Sequence, residues 1–343
     1  MTGCAIPVRP VGTATVAVDE WWRLMSTVKG PASGLPALVF AMLAVALLVT
    51  GCTSAGEAST SVSSSANTSE SPSAASISAS ASNVPSSGIP TSTSAAVVGS
   101  VPPGLATQPV GVAGVNDPAC TSADRPVVLL HGTFSSVRAD FSVLTPALLA
   151  AGRCVYGIEY GDGGVGSVRQ SAADVTAFID QVLAETGAEQ VDVIGFSQGG
   201  LVLRTALRLT GLAPKVAVGV LMAPSFHGST SPLLTALPAG VCPACADQAV
   251  GSALLTQLAA GGDLDGAVRY AVVSSANDTI VTPVAAQVPQ GPADRVVAIQ
   301  VQDRCPTEVV DHVSLRANPG VVAWVVNALE TDGSPDPAAL TCG

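Results

Sequence analysis

Short apolar segments that alternate with longer amphipathic ones dominate the chain from residue 110 onward. Six of them are rich in Val and Ile and predict strands over residues 126–132, 154–160, 191–197, 216–224, 270–275 and 295–301. Helical spacing occurs between them, over residues 141–152, 167–187, 201–211 and 319–330. Strands that are apolar throughout and alternate with helices form a mostly parallel sheet with helices on both faces. The sequence therefore predicts one α/β domain over residues 110–343.

The N-terminal part of the chain carries none of this alternation. Residues 35–50 form an uncharged apolar run after a basic residue, which is typical of a secretory signal peptide over residues 25–51. The Val-Thr-Gly segment before Cys52 resembles a bacterial lipobox, in which the cysteine becomes lipidated. Simple secretion and an uncleaved membrane span are the alternatives. We expect Met25 to be the true start, which makes residues 1–24 a doubtful extension.

Residues 52–109 are expected to be a disordered tether. From residue 53 to residue 100 the chain is mostly Ser, Ala and Thr, with no aromatic residue and with Glu57 and Glu70 as its charges. Such a composition cannot bury enough apolar surface to offset the entropy cost of ordering. The segment therefore predicts a flexible link from a lipid anchor at Cys52 to an extracytoplasmic domain, with an O-glycosylated stalk as an alternative.

The charge balance argues against nucleic-acid binding. The chain has 14 Lys and Arg against 25 Asp and Glu, for a formal net charge of −11. Phosphate backbones are bound by basic patches, which this balance disfavours. No heptad or glycine period is present, so coiled-coil and collagen architectures are excluded as well.

An even number of cysteines in an exported domain indicates disulfides, and counting alone leaves the pairing open. The six are Cys120, Cys154, Cys242, Cys245, Cys305 and Cys342. The Cys-Pro-Ala-Cys segment has two other interpretations, a redox motif and, with His227, part of a zinc site. Its position in a loop late in the chain favours a structural disulfide.

The segment from Gly195 to Gly199, Gly-Phe-Ser-Gln-Gly, lies where a predicted strand meets a predicted helix. This is the setting of a nucleophile elbow, a sharp turn that holds a serine above the edge of a sheet. The two glycines are needed because the turn brings neighbouring backbone close. The motif predicts Ser197 as a catalytic nucleophile.

A serine hydroxyl needs a base to remove its proton and a carboxylate to orient that base. After an elbow of this kind, the acid and then the histidine follow along the chain. His312 follows the last predicted strand, and Asp278 follows the strand before it, at the edge where parallel sheets gather their catalytic groups. Asp311 is the alternative acid, but adjacent residues of an extended loop tend to point apart.

Two backbone amides are expected to form an oxyanion hole. The first is the amide of Gln198, directly after the nucleophile. The second is expected in the loop after the first strand, where Gly132 allows close approach and Thr133 supplies the amide and its hydroxyl.

Five segments together resemble the α/β-hydrolase lipases, in particular the group of Candida antarctica lipase B and related secreted actinobacterial lipases. They are VVLLHGTFSS, GFSQGGLV, LMAPSFHGS, SSANDTIVTP and VVDHVSL. The resemblance implies an α/β-hydrolase fold with a small cap region, a triad of Ser197, Asp278 and His312, and an oxyanion hole of Thr133 and Gln198. It also implies three disulfides, Cys120–Cys154, Cys305–Cys342 and Cys242–Cys245. Phe196 and Ser225 depart from the fungal pattern at positions that line the family's substrate pocket.

The predicted function is hydrolysis of carboxylic, acylglycerol-type esters through an acyl-enzyme on Ser197. This chemistry needs no metal and no cofactor. The expected partners are an ester or lipid substrate and, through the anchor, a membrane; we expect a monomer. The alternatives are a cell-envelope acyltransferase or thioesterase on the same scaffold and a non-catalytic binding lipoprotein.

Overall fold

A computed structural model of the chain describes Gly104 and residues 108–343. The predicted signal peptide, the lipidation site at Cys52 and nearly all of the predicted tether lie outside the described residues. Within the described part of the chain, no helix has both the length and the apolar composition needed to cross a bilayer.

A six-stranded sheet forms the centre of the domain, and every pair of neighbouring strands is parallel. The strands are β1 (Val127–Leu130), β2 (Val155–Gly157), β3 (Val191–Phe196), β4 (Val216–Met222), β5 (Arg269–Ser274) and β6 (Val296–Gln300). Their order across the sheet is β2-β1-β3-β4-β5-β6. The predicted α/β-hydrolase fold with a parallel sheet is confirmed.

Helices connect the strands and cover both faces of the sheet. The α-helices are α1 (Val137–Phe141), α2 (Leu144–Ala150), α3 (Gly161–Gly164), α4 (Val168–Thr186), α5 (Gln198–Leu209), α6 (Pro232–Thr235), α7 (Pro243–Asp247), α8 (Ala253–Ala259), α9 (Val301–Arg304) and α10 (Pro319–Glu330). Short 3₁₀ helices span Ala213–Lys215, Val284–Gln287, Ser314–Ala317 and Pro337–Ala339. Helices α4 and α5 contribute to one apolar cluster, while α1, α2 and α10 contribute to a second. The continuous apolar strands are explained by this double covering.

Three elements differ from the sequence-based expectations. The helix predicted over residues 141–152 is the shorter α2, and a separate helix, α1, with Ser136 as its N-cap, ends at Phe141. Helix α5 begins directly after Ser197, three residues before the predicted start, because the elbow leads straight into it. The Cys-Pro-Ala-Cys segment, expected in a loop, begins helix α7, where Pro243 occupies the first turn and the Cys242 sulfur accepts the Cys245 amide hydrogen bond.

Parallel strands bring all their carboxyl ends to one edge of the sheet, and this edge carries every predicted site segment. The loop after β1 contains Thr133, β3 ends at the elbow, and the loop after β5 contains Asp278. His312 lies between α9 and α10, beyond β6. The segment between β4 and β5 contains α6, α7 and α8.

Among the residues that the structure describes, the disulfides are Cys120–Cys154, Cys242–Cys245 and Cys305–Cys342. This is the pairing that the family resemblance implies. The first and third join residues 34 and 37 positions apart, whereas the second joins residues three positions apart. Cross-links that close longer loops restrict the unfolded chain more strongly.

We expect the loss of stability on removing each disulfide to increase with the length of the loop that it closes. Serine pairs in place of Cys120 and Cys154, or of Cys305 and Cys342, should each lower the free energy of unfolding by about 4 kcal/mol. The same change at Cys242 and Cys245 should cost about 2 kcal/mol. Urea unfolding of the three double variants beside the parent protein tests this order. An equal loss in all three would contradict the loop-entropy account.

Candidate active site

The backbone of Ser197 has φ of 54° and ψ of −118°, which is rare for a residue with a side chain. Its amide donates to the Met222 carbonyl of β4 at 2.9 Å, which holds the turn in place. A Cβ on Gly199 would lie 2.1 Å from the Leu130 carbonyl oxygen. One on Gly195 would lie 2.9 Å from the Gly199 carbonyl carbon. The elbow therefore requires glycine at both positions.

The structure brings Ser197, His312 and Asp278 into one hydrogen-bonded chain. His312 Nε2 lies 3.0 Å from Ser197 Oγ, and His312 Nδ1 lies 2.7 Å from Asp278 Oδ2. A carboxylate oxygen can only accept, so Nδ1 carries the hydrogen and Nε2 is left to accept the serine proton. All three residues are buried. This arrangement can activate a serine hydroxyl for attack on a carbonyl carbon.

Four donors fix the carboxylate of Asp278. Its Oδ1 accepts the backbone amides of Ile280 and Val281 at 2.8 and 2.9 Å. Its Oδ2 accepts the Gln287 amide at 2.9 Å in addition to His312. The carboxylate cannot rotate without losing several of these bonds, so it holds the imidazole in one orientation. Gln287 was not singled out from the sequence, because an amide next to an acid has no distinctive spacing.

Asp311, the alternative acid, binds its own loop instead of the His312 ring. Its carboxylate accepts the Ser314 amide and the Ser314 hydroxyl, both at 2.7 Å. These backbone and side-chain hydrogen bonds from Ser314 lower the pKa of Asp311. Asp311 thereby supports the turn after His312, whereas Asp278 contacts the imidazole.

Gln302 of α9 joins the loop that carries Asp278 to the loop that precedes His312. Its Oε1 accepts the Ala276 amide at 2.8 Å, and its Nε2 donates to the Glu308 carbonyl at 3.1 Å. The distance between the acid and the histidine therefore depends on a residue outside both motifs. Sequence reasoning missed Gln302 because Ala276, its partner in the loop of Asp278, lies 26 positions away along the chain.

Asp140 anchors the loop after β1. The buried carboxylate accepts the Gly132 amide at 2.7 Å, the Ser135 hydroxyl at 2.6 Å and the Arg316 guanidinium at 2.7 Å. The Gly132 amide is therefore engaged. Among the described residues, no acceptor is hydrogen-bonded to the next amide, that of Thr133, or to the amide of Gln198. These two amides are free to bind a ligand oxygen.

Tyr160 holds the same loop from the other side. Its phenol donates to the His131 carbonyl, and its ring stacks on the His131 imidazole at a centroid distance of 4.1 Å. Burial raises the pKa of Tyr160 well above its ordinary value, and the nearby carboxylates of Asp140 and Glu159 raise it further. The phenol therefore stays protonated and keeps donating to the loop.

The two residues expected to line the pocket flank the nucleophile. Phe196 is buried, and its ring lies 5.1 Å from the His312 imidazole between centroids. Ser225 is also buried; its amide donates to the Ser197 carbonyl at 3.1 Å, and its hydroxyl donates to Gln248 Oε1 at 2.9 Å. Phe196 thus contacts the imidazole of His312, and Ser225 is hydrogen-bonded to Gln248.

Part of the chain that carries this arrangement is similar in sequence to known lipases. The family model described as Lipase (class 2) matches residues 124–288, a range that contains Ser197 and Asp278. A triacylglycerol lipase of Burkholderia plantarii is 34% identical over 136 residues, which cover 34% of this chain and 36% of that protein. These matches show a similarity to lipases within this part of the chain.

A solved structure has a fold similar to that of this chain. Aspergillus fumigatus lipase B superposes with a TM-score of 0.57 at 24% sequence identity, covering 68% of this chain and 57% of the other. The matched region corresponds to about a third of the length of the bacterial relative.

Cys242 and Cys245, at the start of α7, have no free thiol. Cys242 and Cys245 are bonded to each other, so neither can supply a thiolate to a metal. His227, the other ligand considered for zinc, has Nε2 2.8 Å from an Asp263 carboxylate oxygen and Nδ1 2.9 Å from the Ala286 carbonyl. Both ring nitrogens of His227 thus have hydrogen-bond partners within the protein.

Exchanging each acid for its amide should separate Asp278 from Asp311. Asp278→Asn is expected to lower kcat for ester hydrolysis by about 10⁴-fold, because the amide stabilises the wrong tautomer of His312. Asp311→Asn should change kcat less than about threefold, since Asp311 only supports a surface turn. Steady-state rates on a soluble p-nitrophenyl ester measure both. A large loss in Asp311→Asn with full activity in Asp278→Asn would reverse the assignment.

Proposed function

We propose that this chain is a serine carboxylic-ester hydrolase, a lipase or carboxylesterase that acts through an acyl-enzyme on Ser197. The observation that carries the proposal is the chain of 3.0 Å and 2.7 Å contacts from Ser197 through His312 to Asp278. The unengaged amides of Thr133 and Gln198 support it, because acyl transfer needs donors for a developing oxyanion. The sequence similarity to lipases over residues 124–288 supports an ester as the substrate.

The reaction proceeds in two acyl-transfer steps. His312 Nε2 takes the proton of Ser197 as the serine oxygen attacks the ester carbonyl, and the imidazolium is stabilised by Asp278. The amides of Thr133 and Gln198 bind the oxyanion. His312 then gives its proton to the departing alcohol. A water molecule, deprotonated by the same imidazole, releases the acid and restores the serine.

Replacing the nucleophile tests this mechanism directly. Ser197→Ala should lower kcat by about 10⁴- to 10⁶-fold, as found when triad nucleophiles are removed. The substrates are p-nitrophenyl esters from short to long chains, assayed below and above substrate aggregation. The series also reports the preferred acyl length.

The matched control is Ser142→Ala, an exposed serine between α1 and α2. It should keep the parent rate, and both variants should keep the parent melting temperature. A fluorophosphonate probe should label the parent and Ser142→Ala but not Ser197→Ala. Substantial ester hydrolysis by folded Ser197→Ala would refute the proposal.

We further propose that the hydrolase is extracytoplasmic and anchored through a lipid on Cys52. The three disulfides are compatible with an extracytoplasmic location. The apolar run before Cys52 and the Ser-rich segment after it support anchoring by a tether.

Cys52→Ser is expected to release the enzyme from the membrane or to block its processing. The full chain, produced in a bacterial host with lipoprotein processing, should incorporate labelled palmitate, whereas the variant should not. Cell fractionation with an ester assay follows the activity itself. Palmitate incorporation into Cys52→Ser, or soluble parent enzyme, would contradict the anchor while leaving the hydrolase assignment intact.

A further inference from the structure

Gln248, the residue directly after α7, is fully buried and hydrogen-bonds two segments of the site at once. Its Oε1 accepts the Ser225 hydroxyl at 2.9 Å. Its Nε2 donates to Thr133 Oγ1 at 2.9 Å and to the Ala244 carbonyl at 3.1 Å. We propose that Gln248 is a positioning residue for the oxyanion hole, which aims the hydroxyl hydrogen of Thr133 at the substrate oxygen. This inference rests on the proposed hydrolase function.

The orientation of the Gln248 amide follows from its neighbours. The Ala244 carbonyl can only accept, so the side-chain atom facing it must be the NH₂ group. The other side-chain atom, Oε1, then accepts from Ser225. Both contacts favour the same orientation of the amide. Gln248 can therefore only donate to the hydroxyl of Thr133.

Because Gln248 donates this hydrogen bond, the Thr133 hydroxyl keeps its own hydrogen for another acceptor. A hydroxyl has one hydrogen and two lone pairs, and the Gln248 bond occupies a lone pair. Its own hydrogen has no acceptor among the residues that the structure describes. The hydroxyl is thus left as a donor in need of a partner, beside an unengaged backbone amide. A carbonyl oxygen that becomes an anion in the transition state is such a partner.

The location of Thr133 agrees with this role. Gly132, the preceding residue, is so close to the nucleophile that an added Cβ would lie 3.3 Å from the Cβ of Ser197. A Cβ added to Gly164 would lie 3.1 Å from the Thr133 Cα and 3.1 Å from the Gln198 Oε1. The two residues expected to bind the oxyanion therefore flank the same glycine.

Hydrogen bonds fix the backbone of Gln248, so its side chain can hold the Thr133 hydroxyl in one orientation. Its amide donates to the Ala244 carbonyl at 3.0 Å, and its carbonyl accepts the Ser229 amide at 2.8 Å. Helix α7 is closed at its start by the Cys242–Cys245 disulfide and is linked to α4 by a 3.0 Å bond from the Val168 amide to Asp247. Helix α7 and the loop after β1 are thereby joined through the side chain of Gln248.

A double-mutant cycle between Gln248 and Thr133 tests the inference. Gln248→Met keeps the volume but cannot donate; it should lower kcat on p-nitrophenyl butyrate by about tenfold with KM changed less than twofold. Thr133→Val, which removes the hydroxyl, should lower kcat by about 10²-fold. In the Thr133→Val background, Gln248→Met should cost less than twofold, because the group through which it acts is gone.

Further variants make the cycle specific. Thr133→Ser keeps a hydroxyl and should keep most of the activity, together with the full sensitivity to Gln248→Met. Gln257→Met, at an exposed glutamine of α8, is the matched control and should leave kcat and the melting temperature unchanged. Gln248→Glu, close in shape to the parent, replaces Gln248→Met in the cycle if the latter does not fold.

The outcomes separate this inference from the proposed function. A tenfold loss from Gln248→Met that persists in the Thr133→Val background would overturn the inference, because Gln248 would then act by general packing. An unchanged kcat in folded Gln248→Met would overturn it as well. Neither result affects the hydrolase proposal, which fails only if folded Ser197→Ala retains its activity.

Discussion

The strained backbone of Ser197 is the constraint on which the rest of the site depends. A φ of 54° at a non-glycine residue is tolerated only where the surroundings enforce it. Here β3 is central in the sheet, α5 begins at the next residue, and the Ser197 amide and carbonyl bind Met222 and Ser225. The serine is thereby fixed above the sheet edge before any substrate arrives, and every other group is arranged around it.

The remaining groups reach that edge on loops, and buried side chains from elsewhere in the fold fix each loop. Asp140 holds the segment after β1, Gln287 holds the carboxylate of Asp278, and Gln302 joins the loops of the acid and the histidine. Catalytic groups on loops need such support because loops are otherwise the most mobile part of a domain. The proposed role of Gln248 belongs to the same pattern.

The sequence predicted the parts of the site that depend on local patterns. The elbow at Ser197 is visible because glycines on both sides of a serine join a strand to a helix, and the strands are visible because both of their faces are buried. The start of α7 was missed, since a cysteine sulfur capping a helix has no established sequence pattern. Gln248 and Gln302 were missed because their partners lie far along the chain.

The sequence alone therefore determined the parallel α/β architecture, the serine at the elbow and the short list of histidines and acids that could serve it. Only the tertiary structure decided between Asp278 and Asp311 as the residue in contact with the imidazole of His312, and only the tertiary structure connected Gln248 to Thr133. The difference comes from how far apart along the chain the interacting residues lie. Strand and helix patterns arise from contacts between near neighbours, whereas hydrogen bonds across 34 or 115 positions exist only after the sheet has assembled.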